Sequence, residues 1–416
     1  MRIERLGDLG DPPAVLRALA AYGRPAALIG DWFDSRAVIA PSVTAVPVDV
    51  DRVFAVRASG RGEGVVGGGW FGYLSYPDAG VDGLGPRIPV AAGGWADFVL
   101  RQDRDGVWWY ESLSDATLPN WIAEALRSPI APRPADVEWS RADRDAHRRG
   151  VLDCLEAIAT GEIYQACVCT QFAGRLDGTP VDFFADAAAR TSPARAAFIG
   201  GDWGAVASLS PELFLRRRGD AVASSPIKGT LPWHAHPSAL RASAKDVAEN
   251  IMIVDLVRND LSRVAVTGTV TVPELLAVRP APGVWHLVST VAARVDVDVP
   301  MTAVLDATFP PASVTGTPKT RARQLLSQWE PHRRGVYCGT VGLASPIAGT
   351  ELNVAIRTVE FDTGGGAVLG VGGGITTDSD PDAEWDECLH KAAPIVGAIR
   401  TDGSARRGFR PVVPAR

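Results

Sequence analysis

Apolar residues in the first 126 positions come in short runs separated by turn residues. Ala26–Ile29, Arg36–Ala40, Trp70–Leu74 and Gly106–Tyr110 have strand length. The region therefore predicts a mostly antiparallel sheet with helices near 12–22 and 118–127. Residues 127–134 form a stiff, proline-rich connector. Ser140-Arg-Ala-Asp143 has the pattern of a capping box, opening a helix that runs to about Thr160 and closes at Gly161. Two strands and a hairpin follow, then Pro211–Leu215 and the strand-like Ala221–Ser224. Further on, Val264–Val272 and Ala367–Val371 read as strands. Two helices carry acids at i, i+3 spacing. The first holds Asp246 and Glu249 in its opening turn, and its Ile251–Val254 segment looks apolar nearly all round, which predicts a buried helix. The second starts at Asp380-Pro381, with proline at the first helical position, and holds Glu384 and Glu387. The tail, residues 404–416, is basic and should fray.

Bulk properties narrow the class. A chain of 416 residues that is 46% hydrophobic can bury a large core, as two or three average domains or one large one. A net charge of −6 gives no reason to expect nucleic acid or a membrane surface as partner. The five cysteines, Cys154, Cys167, Cys169, Cys338 and Cys388, show no CxxC spacing and read as free thiols in a reducing cytosol. No secretory leader and no apolar run near the ~18 residues of a membrane span are visible, so a cytoplasmic protein is expected.

Candidate chemistry gathers around Ser225-Pro-Ile-Lys-Gly-Thr230. Pro226 biases Ser225 toward extended geometry, and Gly229 allows a sharp turn or close approach. Lys228 alone could be a solvated cation. Held in a dry pocket it could lose its proton and attack carbon. The acid pairs could each complement a helix dipole, or converge into an oxygen-rich site for Mg²⁺. His286 could be a satisfied core histidine, and Glu212 a salt-bridge partner of Arg216, Arg217 or Arg218. Arg357 offers a bidentate fork for a carboxylate, and Gly372, Gly373 and Gly374 could form a backbone anion nest. Ser313, Thr315 and Lys319 lie in a loop that could close on a ligand.

These segments resemble, in order and in register, those of the chorismate-utilising enzymes. The matching motifs are GEIYQACVCTQF (161–172), SLSPELF (208–214), SPIKGT (225–230), DVAENIMIVDLVRNDL (246–261), GVWHLVST (283–290), SVTGTPKTRA (313–322), YCGTVG (337–342), AIRT (355–358) and GVGGGITTDSDPDAEWDE (370–387). The resemblance implies an α+β fold of two packed, mostly antiparallel β-sheets with flanking helices. It places a catalytic region at 140–400, and a variable N-terminal region at 1–135 in the same layered body. It implies Mg²⁺ bound directly by Glu249 and Glu387, with Asp246 and Glu384 reaching it through water. Glu212 and His286 would manage protons at the C4 hydroxyl of chorismate. Arg357, Tyr337, Gly372, Gly373, Gly374, Ser313 and Lys391 would contact substrate. A lysine at 228 is what C4-aminating members carry, whereas anthranilate synthases, the runner-up, carry alanine. Gln165 stands where isochorismate-forming members have a lysine that activates water, so oxygen transfer to C2 is disfavoured. Positions 225 and 233 depart from the family's frequent arginines. The implied reaction is amination at C4 through a Lys228 intermediate, with ammonia from a partner glutamine amidotransferase subunit, on the route to 4-aminobenzoate and folate. A non-catalytic scaffold would have lost the acids and Lys228, and neither is lost.

Overall fold

The computed structural model describes residues 1–57, 64–78, 85–127 and 130–397; the tail expected to fray, residues 404–416, lies outside them. Alternation along individual strands explains the layering. In Ala26–Trp32, Ala26 and Leu28 join one apolar cluster while Ala27 and Ile29 join another. Ser35–Ala40 repeats this, with Val38 and Ala40 in the first cluster and Ala37 and Ile39 in the second. Arg195–Gly201 does so with Ala197 and Ile199 against Ala196 and Phe198. Strands apolar on both faces must be covered on both. Helices Pro12–Ala20 and Pro180–Thr191 cover one face with Leu16, Leu19, Phe183 and Phe184. A second sheet covers the other with Phe71, Tyr73, Val341 and Leu343.

The first sheet runs Arg2–Gly7, Trp108–Ser112, Phe98–Gln102, Ser35–Ala40, Ala26–Trp32, Arg195–Gly201, Gly204–Ser210, Thr358–Phe361, Gly366–Ile375, Gln165–Asp177 and Gly316–Thr317. Asp136–Trp139 also pairs with Gln165–Asp177. The second runs Ile227–Pro232, Val284–Arg294, Ala221–Ser225, Leu213–Arg218, Gly349–Asn353, Thr340–Ser345, Gly69–Leu74, Ala91–Ala96 and Val46–Pro47, with Thr271–Ala281 added on Val284–Arg294. The pairings are antiparallel throughout the described strands. The fold is α+β, two packed antiparallel sheets flanked by helices. Strands from the first 112 residues enter both sheets. Across the sandwich, Arg195 of the first sheet pairs at 2.6 Å with Glu351 of the second, whose side chain is fully buried. No described helix is long and apolar enough to cross a membrane.

Three expectations need correction. Helix Arg144–Ala159 is capped by Asp143, whose carboxylate accepts from the Ala146 N–H, and not by Ser140. The Ser140 amide is already committed to the Ala173 carbonyl of the neighbouring strand, so the chain is still extended there. Residues 264–270 form turns, and the strand starts at Thr271. Gly268 takes a φ of +80°, and the Thr269 hydroxyl donates to the Val266 carbonyl, which closes the chain into a turn. Finally, helix Ala244–Ser262 is amphipathic. Ile253, Val254, Val257 and Leu261 are buried, while Ile251, Asp255, Arg258 and Asn259 are exposed.

Candidate active site

Lys228 is aimed by a bulge. Strand Ile227–Pro232 pairs with Val284–Arg294, but the register slips between Ile227 and Thr230. Gly229, at a φ of +90°, occupies the slip. A bulge bends its strand and redirects a side chain. A Cβ on Gly229 would stand 3.1 Å from Asp246, so glycine also lets the Ala244–Ser262 helix begin close by. That helix is held by Ser243, whose hydroxyl accepts from the Asp246 N–H. The Lys228 side chain is only 11% exposed, and Nζ lies 4.0 Å from Glu249 Oε2.

The glycine run is a floor rather than a nest. Gly372, Gly373 and Gly374 lie in the extended strand Gly366–Ile375, in register with Cys169, Val168 and Cys167. They lack the alternating left-handed backbone that an anion nest needs. Their missing side chains matter more. A Cβ at Gly374 would stand 3.2 Å from Lys228 Nζ, 3.5 Å from Glu249 Oε2 and 3.7 Å from Gln165 Oε1. One at Gly373 would stand 3.0 Å from Glu384 Oε2, 3.8 Å from Glu387 Oε1 and 3.9 Å from Lys391 Nζ. The two acid-bearing helices thus meet at adjacent glycines near the end of one strand.

Each acid there faces a lysine. Glu249 faces Lys228. Glu387 accepts from Lys391 at 2.6 Å, and Lys391 also donates to the Gly372 carbonyl at 2.8 Å. Lys245, a residue the sequence did not single out, donates from Nζ to Glu384 Oε1 at 3.1 Å. Burial lifts the Glu249 carboxyl above its usual range although Lys228 and Lys245 oppose it. Burial pushes Glu387 the same way, but Lys391, Lys245 and Lys228 outweigh it and hold that carboxyl low. Among the described residues no three His, Cys, Asp or Glu side chains are gathered closely enough to grip an ion as they stand. The donors are nonetheless all hard carboxylate oxygens, the type a small divalent cation takes. Glu384 Oε2 is buried without a hydrogen-bond partner, an oxygen that a cation would satisfy. Asp246, Glu249, Glu384 and Glu387 are the residues that could hold one.

Lys228 itself is held as a cation. Burial pulls its pKa down, but Cys167 and the carboxylates of Glu249, Glu212 and Glu387 push it well above the ordinary lysine value. Cys167 is itself buried and shifted up, so it stays a neutral thiol and the acids carry the effect. The pocket expected to be dry is thus lined with acids, which favour the protonated amine.

Glu212 is buried, and burial pushes its carboxyl up to about 7, against hydrogen bonds from the Ser313 hydroxyl and the Ile227 N–H and the charge of Lys228. It does not pair with the adjacent arginines. Arg216 and Arg218 go to Glu351, and Arg217 donates to the carbonyls of Val299 and Asp296. Glu212 and Ser313 wall a small cavity together with Ser224, Pro226 and Val354. His286 Nδ1 lies 2.9 Å from the Thr230 hydroxyl, and Nε2 is buried without a partner. Burial, then the nearby Arg357 charge, lowers His286 to about 4, so the ring is neutral at pH 7. Arg357 has a left-handed backbone, φ +51°, and its guanidinium has no partner among the described residues. A half-buried guanidinium with no acid beside it can take a carboxylate on its bidentate fork. Gln165 is fully buried, with both amide atoms unpartnered.

Tyr337 is placed differently. Its ring lies against Gly370, and Cys169 Sγ, 3.9 Å from the hydroxyl, stands between it and Gly372. The groups acting on its hydroxyl are Cys169, Cys338, Arg334 and Cys388 rather than the lysine and acids. Lys319 is bound into the loop, donating to Asp260 and to the carbonyls of Thr308 and Pro310. A broad groove elsewhere, walled by Tyr76, Asp78, Arg323, Arg334 and Glu360, shares no residue with this cluster. Besides Lys245, the sequence reading passed over Thr230. The signal for Thr230 was its place at the end of the lysine motif, on the strand opposite His286.

The family model described as chorismate binding enzyme matches residues 52–397. A relative from Klebsiella aerogenes, named aminodeoxychorismate synthase component 1, is 36% identical over 325 residues, covering 76% of this chain and 71% of its own length. One from Streptomyces pristinaespiralis, named aminodeoxychorismate synthase, is 38% identical over 368 residues, covering 80% of this chain and 51% of its own length. The chain thus spans about half of that second relative. The crystal structure of anthranilate synthase component I from Streptococcus pneumoniae superposes with a TM-score of 0.72 at 23% identity, covering 95% of this chain and 92% of that one. At that identity the likeness speaks for the fold.

Proposed function

The chain belongs to the chorismate binding enzyme family, and from that premise we propose that it aminates chorismate at C4. The product is 4-amino-4-deoxychorismate, on the way to 4-aminobenzoate and folate in the cytoplasm. The observation that carries this reading is the Lys228 amine, buried against Gly374 and Glu249 and facing no other obvious task. The names of the relatives from Klebsiella and Streptomyces support it.

The chemistry is two displacements with allylic shift. Lys228 first passes its extra proton to Glu212, whose raised pKa makes it a ready acceptor near neutrality. The freed amine adds at C2, the ring double bonds shift, and the C4 hydroxyl leaves as water with the proton from Glu212. Ammonia then adds at C4, the double bonds shift back, and Lys228 is expelled as the leaving amine. Splitting one hard displacement into two is the gain of covalent catalysis. Neutral His286 acts as a hydrogen-bond donor from Nε2 to the departing oxygen when Nδ1 accepts from Thr230. Arg357 takes a substrate carboxylate, with Ser313, Lys391 and the glycine floor shaping the rest of the site. Asp246, Glu249, Glu384 and Glu387 would hold Mg²⁺, which when bound would fix the ring carboxylate of chorismate and take up the charge of the acids. A partner glutamine amidotransferase subunit supplies the ammonia.

The test is incubation of purified protein with chorismate, Mg²⁺ and an ammonium salt. A 4-amino product is expected. Fluorescent anthranilate would instead favour amination at C2, and inert chorismate would remove the enzymatic reading.

A further inference from the structure

Lys245 has no part in the chemistry above, yet it is the third cation among the acids. It lies in the first turn of helix Ala244–Ser262, two residues after the capping Ser243. It reaches across to the Pro381–Val396 helix, and Glu384 is the acceptor found for its amine. Glu384 Oε1 also accepts from the Ser379 hydroxyl at 2.6 Å, while Oε2 is buried and empty-handed. The three lysines are not equally fixed. Lys228 is 11% exposed and sits in the bulged strand. Lys391 is tied to the Gly372 carbonyl as well as to Glu387. The side chain of Lys245 is 43% exposed beside a Glu384 side chain that is 3% exposed.

We propose that Lys245 is a tethered counter-ion for the metal-binding acids, holding the charge of Glu384 while the site is free of metal and moving to solvent when a divalent cation binds. The inference rests on the reading of the four acids as an ion site. A buried carboxylate without a cation is costly, so Glu384 needs a partner between turnovers. A bound cation beside Glu384 would repel the ammonium. A four-carbon stem already half in water can withdraw its head with little loss. Lys245 therefore competes with the ion for Glu384 and sets the affinity of the site.

The experiment titrates the full chain with Mn²⁺ alone, which takes the same oxygen ligands. Free Mn²⁺ is read by electron paramagnetic resonance at fixed ionic strength, without chorismate. Lys245→Met and Lys245→Gln are expected to bind about fivefold more tightly than the unaltered chain, the upper scale of an ion pair with one half-exposed partner. Lys245→Arg keeps the charge and should bind like the unaltered chain. Equal or weaker binding by both neutral variants overturns the inference, leaving Lys245 a structural brace. If no chain takes up Mn²⁺, the ion-site reading of the acids falls and the inference with it. Failure limited to the comparison of variants leaves that reading intact.

Discussion

Lys228 Nζ lies 4.0 Å from Glu249 Oε2, and the strand position between them is glycine. The lysine comes from the second sheet, the acid from a helix and the glycine from the first sheet. The Lys228 amine is thus held where three layers of the molecule meet, by charge on one side and by the absence of a side chain on the other.

That absence is testable by adding one methyl group. Gly374 has ordinary extended backbone, so alanine fits the strand, and losing a glycine should leave stability equal or raise it by about 0.5–1 kcal/mol. The new Cβ, however, would press to 3.2 Å from Nζ and 3.5 Å from Glu249. Gly374→Ala is expected to lower kcat/KM by roughly 100-fold, the scale of a ~1 Å misplacement of reacting groups, while Tm holds. Parallel loss of activity and Tm would mean the glycine serves folding only.

Lys228→Ala should lose at least about 100-fold in ammonia-dependent turnover, and Lys228→Arg should lose as much. The arginine variant separates the roles, since it restores the positive charge but cannot act as a nucleophile at neutral pH. Recovery of activity by arginine would show that only the charge was needed. Mass spectrometry of unaltered protein quenched with chorismate and no ammonia should reveal an adduct on the peptide holding Lys228.

The buried acid predicts a pH profile. One proton shared by Lys228 and Glu212 is the reactive state. Below about 7 Glu212 holds its own proton and cannot take that of Lys228. Turnover should rise with pH through about 7, and Glu212→Gln should lose that limb with ~10²–10⁴-fold of the rate. Stability runs the other way. The folded value lies above the ordinary ~4.3, so this group's stabilising contribution is full below about 4.3 and is lost as pH rises through about 7. Denaturant midpoints measured from pH 4 to 8 should decline less steeply in Glu212→Gln.

Much of this was legible in the sequence because it depends on neighbours along the chain. The acids one helical turn apart and the proline start of the Pro381–Val396 helix are local patterns, whereas the bulge at Gly229 depends on its pairing with Val284–Arg294. The strands Ala26–Trp32, Ser35–Ala40, Gly69–Leu74 and Trp108–Ser112 were legible from local pattern too. What escaped depends on distant segments. The ionisation of Lys228 is set by Glu212, Glu249 and Glu387, from three separate elements. Lys245 gains meaning only because Glu384, 139 positions later, lies beside it. The glycine run suggested a nest because glycine permits one, but pairing with Cys167, Val168 and Cys169 fixed it as a strand. Val264–Val272 has strand composition, but the turn at Gly268 and Thr269 overrode it.

Glu351 offers a test of what joins the sheets. Its fully buried side chain takes Arg195 at 2.6 Å from the first sheet, Arg216 at 3.1 Å and Arg218 at 3.0 Å from the second, and the Phe33 N–H at 3.0 Å. Arg195 is buried too, and Asp31, half-exposed at 3.3 Å, is its other acid. Removing the central carboxylate leaves the buried Arg195 charge with only the half-exposed Asp31 beside it. Glu351→Gln keeps the shape and one acceptor oxygen, so the loss it reports is that of the charge. It should destabilise the fold by about 3–5 kcal/mol, the range for breaking a buried pair on one side. Arg195→Met with Glu351→Leu, which removes the two buried charges and leaves Arg216 and Arg218 partly exposed to water, should recover part of that loss. Chemical denaturation of the single and double variants decides it. A single variant within about 0.5 kcal/mol of the unaltered chain would mean that water reaches this site and that apolar packing alone holds the two sheets together.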